Sequence, residues 1–412
     1  MKISIVIPSR ERGKYLEYSL QTALEIDDPD IEVLVSDNAS SDNTAEIVAR
    51  FDDPRLVYVN TGARVSMREN FNRAFLASTG DYLIYFGDDD GILPKQFPML
   101  RSLLEKHQPD GISWERMTYG WPVKGFGKKT GGVRTFKSRS YGSVTAYDGA
   151  QRRENLLACR LHEMQPLPEL YHGCFSRDYL IRTATRPDLI FDSAIPDFNI
   201  AYRAVLKGGR FLHVEHPFSI NGHSPASTGG GHSAGQSKTG DTGTSTVFEA
   251  ENKIDPVTDV VGHASSVPLA FFSTFETVRE RHGLQNLKPE YQAWYRYVLS
   301  SGRKNPNLKA QLVEILAKRA SETGSEAALQ AAIAMPPQPK RTWGEKLSRW
   351  RDTARSVRMS GELDGENTIL STAHVLDVIL GDDFAVVLAG KKSKTDAWSG
   401  AIKRSKQFKR EL

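Results

Sequence analysis

The stretch Tyr82-Leu83-Ile84-Tyr85-Phe86-Gly87-Asp88-Asp89-Asp90 is an apolar strand that runs straight into three carboxylates. Neighbouring carboxylates repel one another, so three of them at the mouth of a buried strand are costly unless a cation offsets the charge. Mg²⁺ and Mn²⁺ are hard ions, held by one or two carboxylates together with the phosphates of a substrate. The stretch therefore predicts a strand that ends at a metal–diphosphate site. A solvated acidic turn is the plain alternative, and the surrounding sequence decides between them.

Upstream, Ile3–Ile7 is another short apolar run, followed by Leu16, Leu20, Ala23 and Leu24 at helical spacing. Glu32–Ser36 reads as a second strand and 42–51 as a short helix carrying Ala45, Ile47, Val48 and Phe51. Leu56–Val59 is a third strand, and Met67, Phe71, Ala74, Phe75 and Ser78 mark one face of the next helix. After the fourth strand, Tyr82–Phe86, a helix beyond Pro94 carries Leu100, Leu103 and Leu104. Strands alternating with helices through 1–116 predict an α/β fold with a mainly parallel sheet covered on both faces.

In open parallel sheets, ligands bind beyond the carboxyl ends of the strands. Three polar clusters fall there: Pro8-Ser9-Arg10-Glu11, then Ser36-Asp37-Asn38 with Ser40, Ser41 and Asp42, then Asp88-Asp89-Asp90. Each could be a solvated loop alone. Their convergence on one edge predicts a functional site.

The remaining sequence sets the limits. The 412 residues, 39% hydrophobic and 25% charged, suit a globular protein of one large or two ordinary domains. Two cysteines, Cys159 and Cys174, make no disulfide framework, and a buried thiol is the plain role for Cys174. The apolar run at the N-terminus is too short for a signal peptide, and nothing approaches the ~18 apolar residues of a membrane span. A cytoplasmic location is the expectation. Residues 336–412 hold fifteen Lys/Arg against ten Asp/Glu, which exceeds the net +4 of the whole chain. The rest is near neutral, so a nucleic-acid partner is not expected.

Residues 117–150 lack periodicity and predict a long loop or irregular hairpin. Order returns at Leu156, with helices over Tyr179–Ala184 and Phe198–Leu206. Residues 221–246 are dominated by Gly, Ser and Thr, with a flexible loop expected over 226–246. Helices are predicted over Pro268–His282, Tyr291–Leu299 and Leu308–Ala320, before the linker Pro336–Pro339.

As a set, IVIPSRER (5–12), EVLVSDNASSDNT (32–44) and GDYLIYFGDDDGILP (80–94) resemble the three N-terminal motifs of the family 2 glycosyltransferases, enzymes of GT-A fold. FDSAIPDFNIAYRAVLKGGRF (191–211) is a fainter match to a later family segment, where an acidic residue opens a helix. The resemblance implies a GT-A domain over 1–225, with its nucleotide-sugar half at 1–116 and its acceptor half at 117–225. A helical extension over 247–335 and a basic tail over 336–412 would follow. It implies a nucleotide-sugar donor, usually a UDP-sugar. Pro8, Ser9 and Arg10 would line the base pocket, Asp37 would accept from the base, and Asp88 would reach the ribose. Asp89 would ligate Mn²⁺ or Mg²⁺, with Asp90 helping through water. Arg68 and Asn70 would contact the diphosphate. His223 stands where some relatives place a histidine near the metal, although a loop histidine is more often plain surface.

Breaking the bond from the anomeric carbon to a diphosphate builds negative charge on the leaving oxygen, which a divalent cation stabilises. The acceptor hydroxyl is a weak nucleophile and needs a base. Asp197, behind Pro196 at a helix start, is the candidate, and a simple N-cap is its alternative. The resemblance implies inversion by single displacement. Where the family usually has Glu-Asp, this chain has Pro196-Asp197, and it lacks the Gln-x-x-Arg-Trp mark of processive synthases. Transfer of one sugar per encounter follows, to a saccharide or lipid-linked saccharide acceptor in polysaccharide or glycolipid synthesis.

Within 340–359, Trp343, Leu347, Trp350, Ala354 and Val357 share a helical face beside five Lys/Arg. Such a helix suits an anionic membrane surface, or docks on the catalytic domain. Two other readings of the whole chain remain. A sugar-nucleotide pyrophosphorylase needs a Gly-rich phosphate loop after strand one, which Pro8-Ser9-Arg10-Glu11 does not supply. A scaffold module that kept the fold without activity has no need of the acidic run or Asp197. A phosphate-free Ca²⁺ site would lack oxygen ligands.

Overall fold

The computed structural model describes residues 1–123, 130–225, 251–252, 254–335, 353 and 356–408. Its centre is strand β1 (Ile3–Ser9), buried on both faces. Ile3, Ile5 and Ile7 point into one core while Val6 points into another, which is why the run is apolar without alternation. Strands β2 (Ile31–Asp37), β3 (Leu56–Asn60) and β4 (Tyr82–Tyr85) lie parallel to it in the order β3-β2-β1-β4. Helices α1 (Gly13–Leu24), α2 (Thr44–Val48) and α3 (Met67–Ala77) make the crossovers. Ser66 caps α3 by accepting from the Glu69 N–H. The register pairs Ser9 with Asp37, so the polar clusters after β1, β2 and β4 emerge on one edge.

The second half departs from a parallel sheet. After β5 (Gly91–Ile92) and helix α4 (Phe97–His107), β6 (Gly111–Gly120) returns on itself through β7 (Gly132–Phe136) as an antiparallel hairpin. Among the described residues of 117–150 no crossover helix long enough for a parallel return is present, and a hairpin needs none. β8 (Val144–Asp148), α5 (Arg153–Leu157), β9 (Gly173–Ser176), α6 (Arg177–Thr183) and α7 (Pro196–Lys207) follow. β9 lies antiparallel between β4 and β6. The long β10 (Arg210–His223) runs parallel to β6, with register shifts between Val214 and Ser219, and antiparallel to β5 and β8. The fold class is α/β as predicted, but the sheet is mixed: β1–β4 form one parallel block, and β6 and β10 a second parallel pair among antiparallel strands.

Helices α8 (Val267–Arg281), α9 (Tyr291–Leu299), α10 (Pro306–Thr323) and α11 (Glu326–Ala334) share a second core with α5 and α7, in which Trp294 stacks on Phe275 at 4.9 Å. Ser266 and Asn305 cap α8 and α10 at the residues just before Val267 and Pro306.

The C-terminal part differs from the tail expected over 336–412. β11 (Ser356–Ser360) adds to the sheet edge antiparallel to β7. α12 (Ile369–Leu380), α13 (Asp383–Leu388) and α14 (Lys394–Ser405) join the main core through Ile369, Leu376, Phe384 and Trp398. The amphipathic helix expected over 340–359 falls outside the described residues except at Thr353 and from Ser356 on, where the chain is strand. There Val357 and Met359, two residues apart, pack on the core, which is strand spacing. The loop expected over 226–246 also lies outside the described residues. Among the described residues no helix is long and apolar enough to cross a membrane.

Candidate functional site

A cavity of about 730 Å³ opens at the carboxyl edge of the parallel block. Pro8, Ser9, Arg10, Asn70, Asp88, Asp89, Asp90, Asp197 and His223 all line it. Asp37 and Arg68 do not. Its far wall is built by the 259–273 segment of the helical extension, including His263 and Phe271.

The three adjacent carboxylates have three different environments. Asp88 accepts from the Ser9 hydroxyl at 2.8 Å and from Arg12 Nη1 at 3.0 Å. Burial pushes its carboxyl up, and Arg12 opposes that. Asp90 is saturated by the protein. Its Oδ2 accepts from the Gly87 N–H at 2.8 Å and the Tyr171 hydroxyl at 2.6 Å, and lies 3.3 Å from His172 Nε2. Its Oδ1 accepts from the Gly222 N–H at 2.7 Å and Asn221 Nδ2 at 3.3 Å. Burial works against its charge, yet His172, Tyr171 and the Gly87 N–H outweigh burial and hold it below the ordinary range. Asp89 lies between them and accepts from the Ser224 hydroxyl at 2.6 Å. Burial first and Asp90 second push its carboxyl up to about 7. Gly222 makes this packing possible, because a Cβ there would sit 1.7 Å from the Asp89 carbonyl oxygen.

A divalent ion fits this donor set in one way. Among the described residues no group of three His, Cys, Asp or Glu could cage an ion. Asp89, a hard oxygen donor whose charge is resisted by its neighbours, suits the arrangement of one carboxylate completed by substrate phosphates.

Around this centre, Asp37 is buried and accepts from Tyr58 (2.6 Å), Asn60 (2.8 Å) and the Ser40 N–H (3.0 Å). These contacts hold the β2 loop. Asn70 exchanges hydrogen bonds with Ser36 on β2. Arg68 is 1% exposed and donates to both oxygens of Asp255, so its charge is spent inside the protein. Arg10 forms a two-point ion pair with Glu251, each contact at 3.1 Å. Asp197 stands in the first turn of α7 with Pro196 ahead of it, and its side chain faces the cavity rather than capping. Burial pushes its carboxyl up to about 6, against the Phe198 N–H and with the help of Glu169.

Arg12 was missed by sequence reasoning, although its place two residues after Arg10 in the first motif was a signal. Tyr171 and the 259–273 wall reach the cavity only through tertiary packing. His172, which the sequence offered as a possible border of the acceptor pocket, is buried behind Asp90 and does not line the cavity. His216 is structural: it is buried, stacks on Phe384 at 4.0 Å, and burial lowers its pKa to about 3.

A parallel block that ends on carboxylates, faced by a carboxylate on a later helix, defines a GT-A-like α/β domain. Residues 4–156 match the family model described as glycosyl transferase family 2. The chain is 30% identical over 95 residues to the GalNAc(5)-diNAcBac-PP-undecaprenol beta-1,3-glucosyltransferase of Campylobacter jejuni, covering 22% of this chain and 31% of that one. It is 32% identical over 111 residues to the abequosyltransferase RfbV of Salmonella typhimurium, covering 26% of this chain and 33% of that one. The chain thus spans about a third of the length of these curated relatives. Among solved structures, TarS 1-349 of S. aureus in complex with UDP-GlcNAc matches with TM-score 0.43 at 15% identity, over 80% of this chain and 91% of that one.

Proposed function

We propose that this chain is an inverting glycosyltransferase that moves one sugar per encounter from a nucleotide-sugar, a UDP-sugar, to a saccharide or lipid-linked saccharide. The observation that carries this is the single cavity shared by Asp89 at the sheet edge and Asp197 on α7. The family match over 4–156 supports the donor half, and the lipid-linked substrate named for the Campylobacter relative supports the acceptor class.

In this reading Pro8, Ser9 and Arg10 hold the base, Asp88 the ribose, and Asn70 lies toward the diphosphate. Asp89 would hold Mn²⁺ or Mg²⁺, with Asp90 bracing the loop and His223 at the rim. The ion would supply positive charge where the leaving diphosphate gains negative charge. Asp197 takes the proton from the acceptor hydroxyl. The acceptor oxygen bonds to the anomeric carbon as the carbon–phosphate-oxygen bond breaks, and the electron pair leaves with the nucleoside diphosphate. Arg12 and Ser9 hold Asp88 in place and favour its charged form against burial.

Thermal-shift screening of nucleotide-sugars with and without Mn²⁺ tests the reading. One donor should stabilise the protein only with metal, and Asp197→Ala should keep that binding while losing transfer. Stabilisation by no nucleotide-sugar under any condition would sink it.

A further inference from the structure

We infer that α13 and the turn after it form a docking surface for an anionic lipid bilayer. The proposal goes beyond the reading of the cavity and uses none of its residues. Residues 385–390, Ala-Val-Val-Leu-Ala-Gly, carry no polar side chain, and all but Val387 are exposed. Val386 is 37% and Leu388 38% exposed, and Val378 at the end of α12 is 38% exposed. Single exposed apolar residues are normal. Here three large ones fall within eleven residues of one another.

The apolar tip is held outward rather than loosely attached. Phe384 is buried and stacks on His216. Asp383 accepts from Lys392 Nζ at 2.6 Å and Arg404 Nη2 at 2.8 Å, which ties both ends of the turn to α14. Arg404 also donates to the last carbonyls of α12, those of Ile379 (2.9 Å) and Leu380 (3.0 Å). With Phe384 and Val387 turned to the core, Ala385, Val386 and Leu388 face solvent.

Charge selects the occupant. Residues 382–408, α13 included, hold six Lys/Arg and three Asp, an excess of three where the whole chain has an excess of four. Lys391 directly after the turn, and Lys403 and Lys406 on either side in sequence of the Arg404 that binds Asp383, are exposed. A second copy of this chain would bring two such excesses together. Nucleic acid would find no aromatic platform, since Phe384 and Trp398 are both buried. Exposed apolar side chains next to exposed lysines match a headgroup layer, in which the apolar residues enter the acyl boundary and the lysines are drawn to the anionic surface.

The test is co-sedimentation of the purified chain with vesicles of phosphatidylcholine alone or mixed with phosphatidylglycerol, at low and high salt. Binding is expected only with phosphatidylglycerol, and it should weaken as salt rises. The Val386→Asp/Leu388→Asp variant should bind about tenfold or more weakly, as should Lys391→Glu/Lys403→Glu/Lys406→Glu. Unchanged thermal unfolding and unchanged donor binding would show that each variant is folded, and they also separate this test from that of the cavity. Equal binding to neutral vesicles, no binding by the parent chain, or full binding by both variants would overturn the proposal. So would vesicle-independent association lost in the tip variant, which would assign the surface to a second copy.

Discussion

Arg68 and Asp255 meet 187 residues apart in sequence, with Arg68 Nε and Nη2 at 2.8 and 2.9 Å from the two carboxylate oxygens. Asp255 also contacts the Ser66 hydroxyl at the start of α3. The pair fastens the segment ahead of α8 to the nucleotide half, and α8 supplies part of the far wall of the cavity. Removing one partner of a buried pair leaves a stranded charge and costs about 3–5 kcal/mol. Arg68→Ala is expected to lower thermal stability by that order and to weaken acceptor use as well as donor use. A variant with normal stability and only a donor defect would return Arg68 to a diphosphate role.

Arg12 has the same relation to Asp88. Its guanidinium is the strong positive charge that opposes burial of that carboxyl. Arg12→Ala should therefore weaken donor binding at neutral pH and destabilise the fold by about 3 kcal/mol. Arg12→Lys should restore part of both, because a point charge remains while the fork geometry is lost. Isothermal titration with the donor, alongside thermal unfolding, reads both effects.

Asp89 and Asp90 should separate cleanly. Asp89→Ala removes a carboxylate whose charge its surroundings resist, so the fold should keep or gain stability while Mn²⁺-dependent donor binding falls about a hundredfold or more. Asp90→Ala strands the donors of Gly87, Tyr171 and Gly222, each worth about 1–3 kcal/mol when left buried without a partner. It should lower the melting temperature first. Thermal unfolding with and without Mn²⁺ and UDP distinguishes the two outcomes.

These residues also show what the sequence could convey. The parallel block and its carboxylate edge were legible, because apolar runs of strand length alternate with helical spacing and each run ends in polar residues. The roles within Asp88-Asp89-Asp90 were not. Three identical side chains differ only by what folds against them: Arg12 from the next loop, Tyr171 and His172 from the turn before β9, and Gly222 from the end of β10. Arg68 was misjudged for a related reason, since its partner Asp255 lies across the segment 226–250. The strand β10 was hidden because His213, Glu215 and His216 interrupt its apolar run. The period-2 signal in Val357 and Met359 was masked by a helical pattern that overlapped it.

Asp197 gives a pH prediction. Its carboxyl is pushed up to about 6, so it is protonated, and unable to accept a proton, below that pH. As the base it would make kcat/KM fall as pH drops through about 6, close to tenfold per further unit. Asp197→Asn should lose most transfer at every pH while binding donor normally. An acid limb of unchanged position in a variant that still transfers sugar would assign the titration to another group.

Asp377 on α12 gives the opposite kind of pH effect, on stability rather than turnover. It is 3% exposed and accepts from the Lys95 N–H at 3.1 Å, and burial pushes its carboxyl up to about 6. In the unfolded chain it titrates near the ordinary value of about 4. The folded state therefore binds the proton more tightly. The contribution of this group is fully present below about pH 4 and is lost as pH rises through about 6. At pH 8 the buried charge costs on the order of 3 kcal/mol relative to the protonated form. Asp377→Asn keeps an oxygen for the Lys95 N–H without carrying the charge. Denaturant unfolding of both proteins from pH 4 to pH 8 should show the variant gaining on the parent as pH rises, with most of the change between pH 4 and 6. A constant difference across that range would mean that Asp377 stays ionised in the fold, stabilised by the Lys95 N–H and Gln96 more than burial resists it.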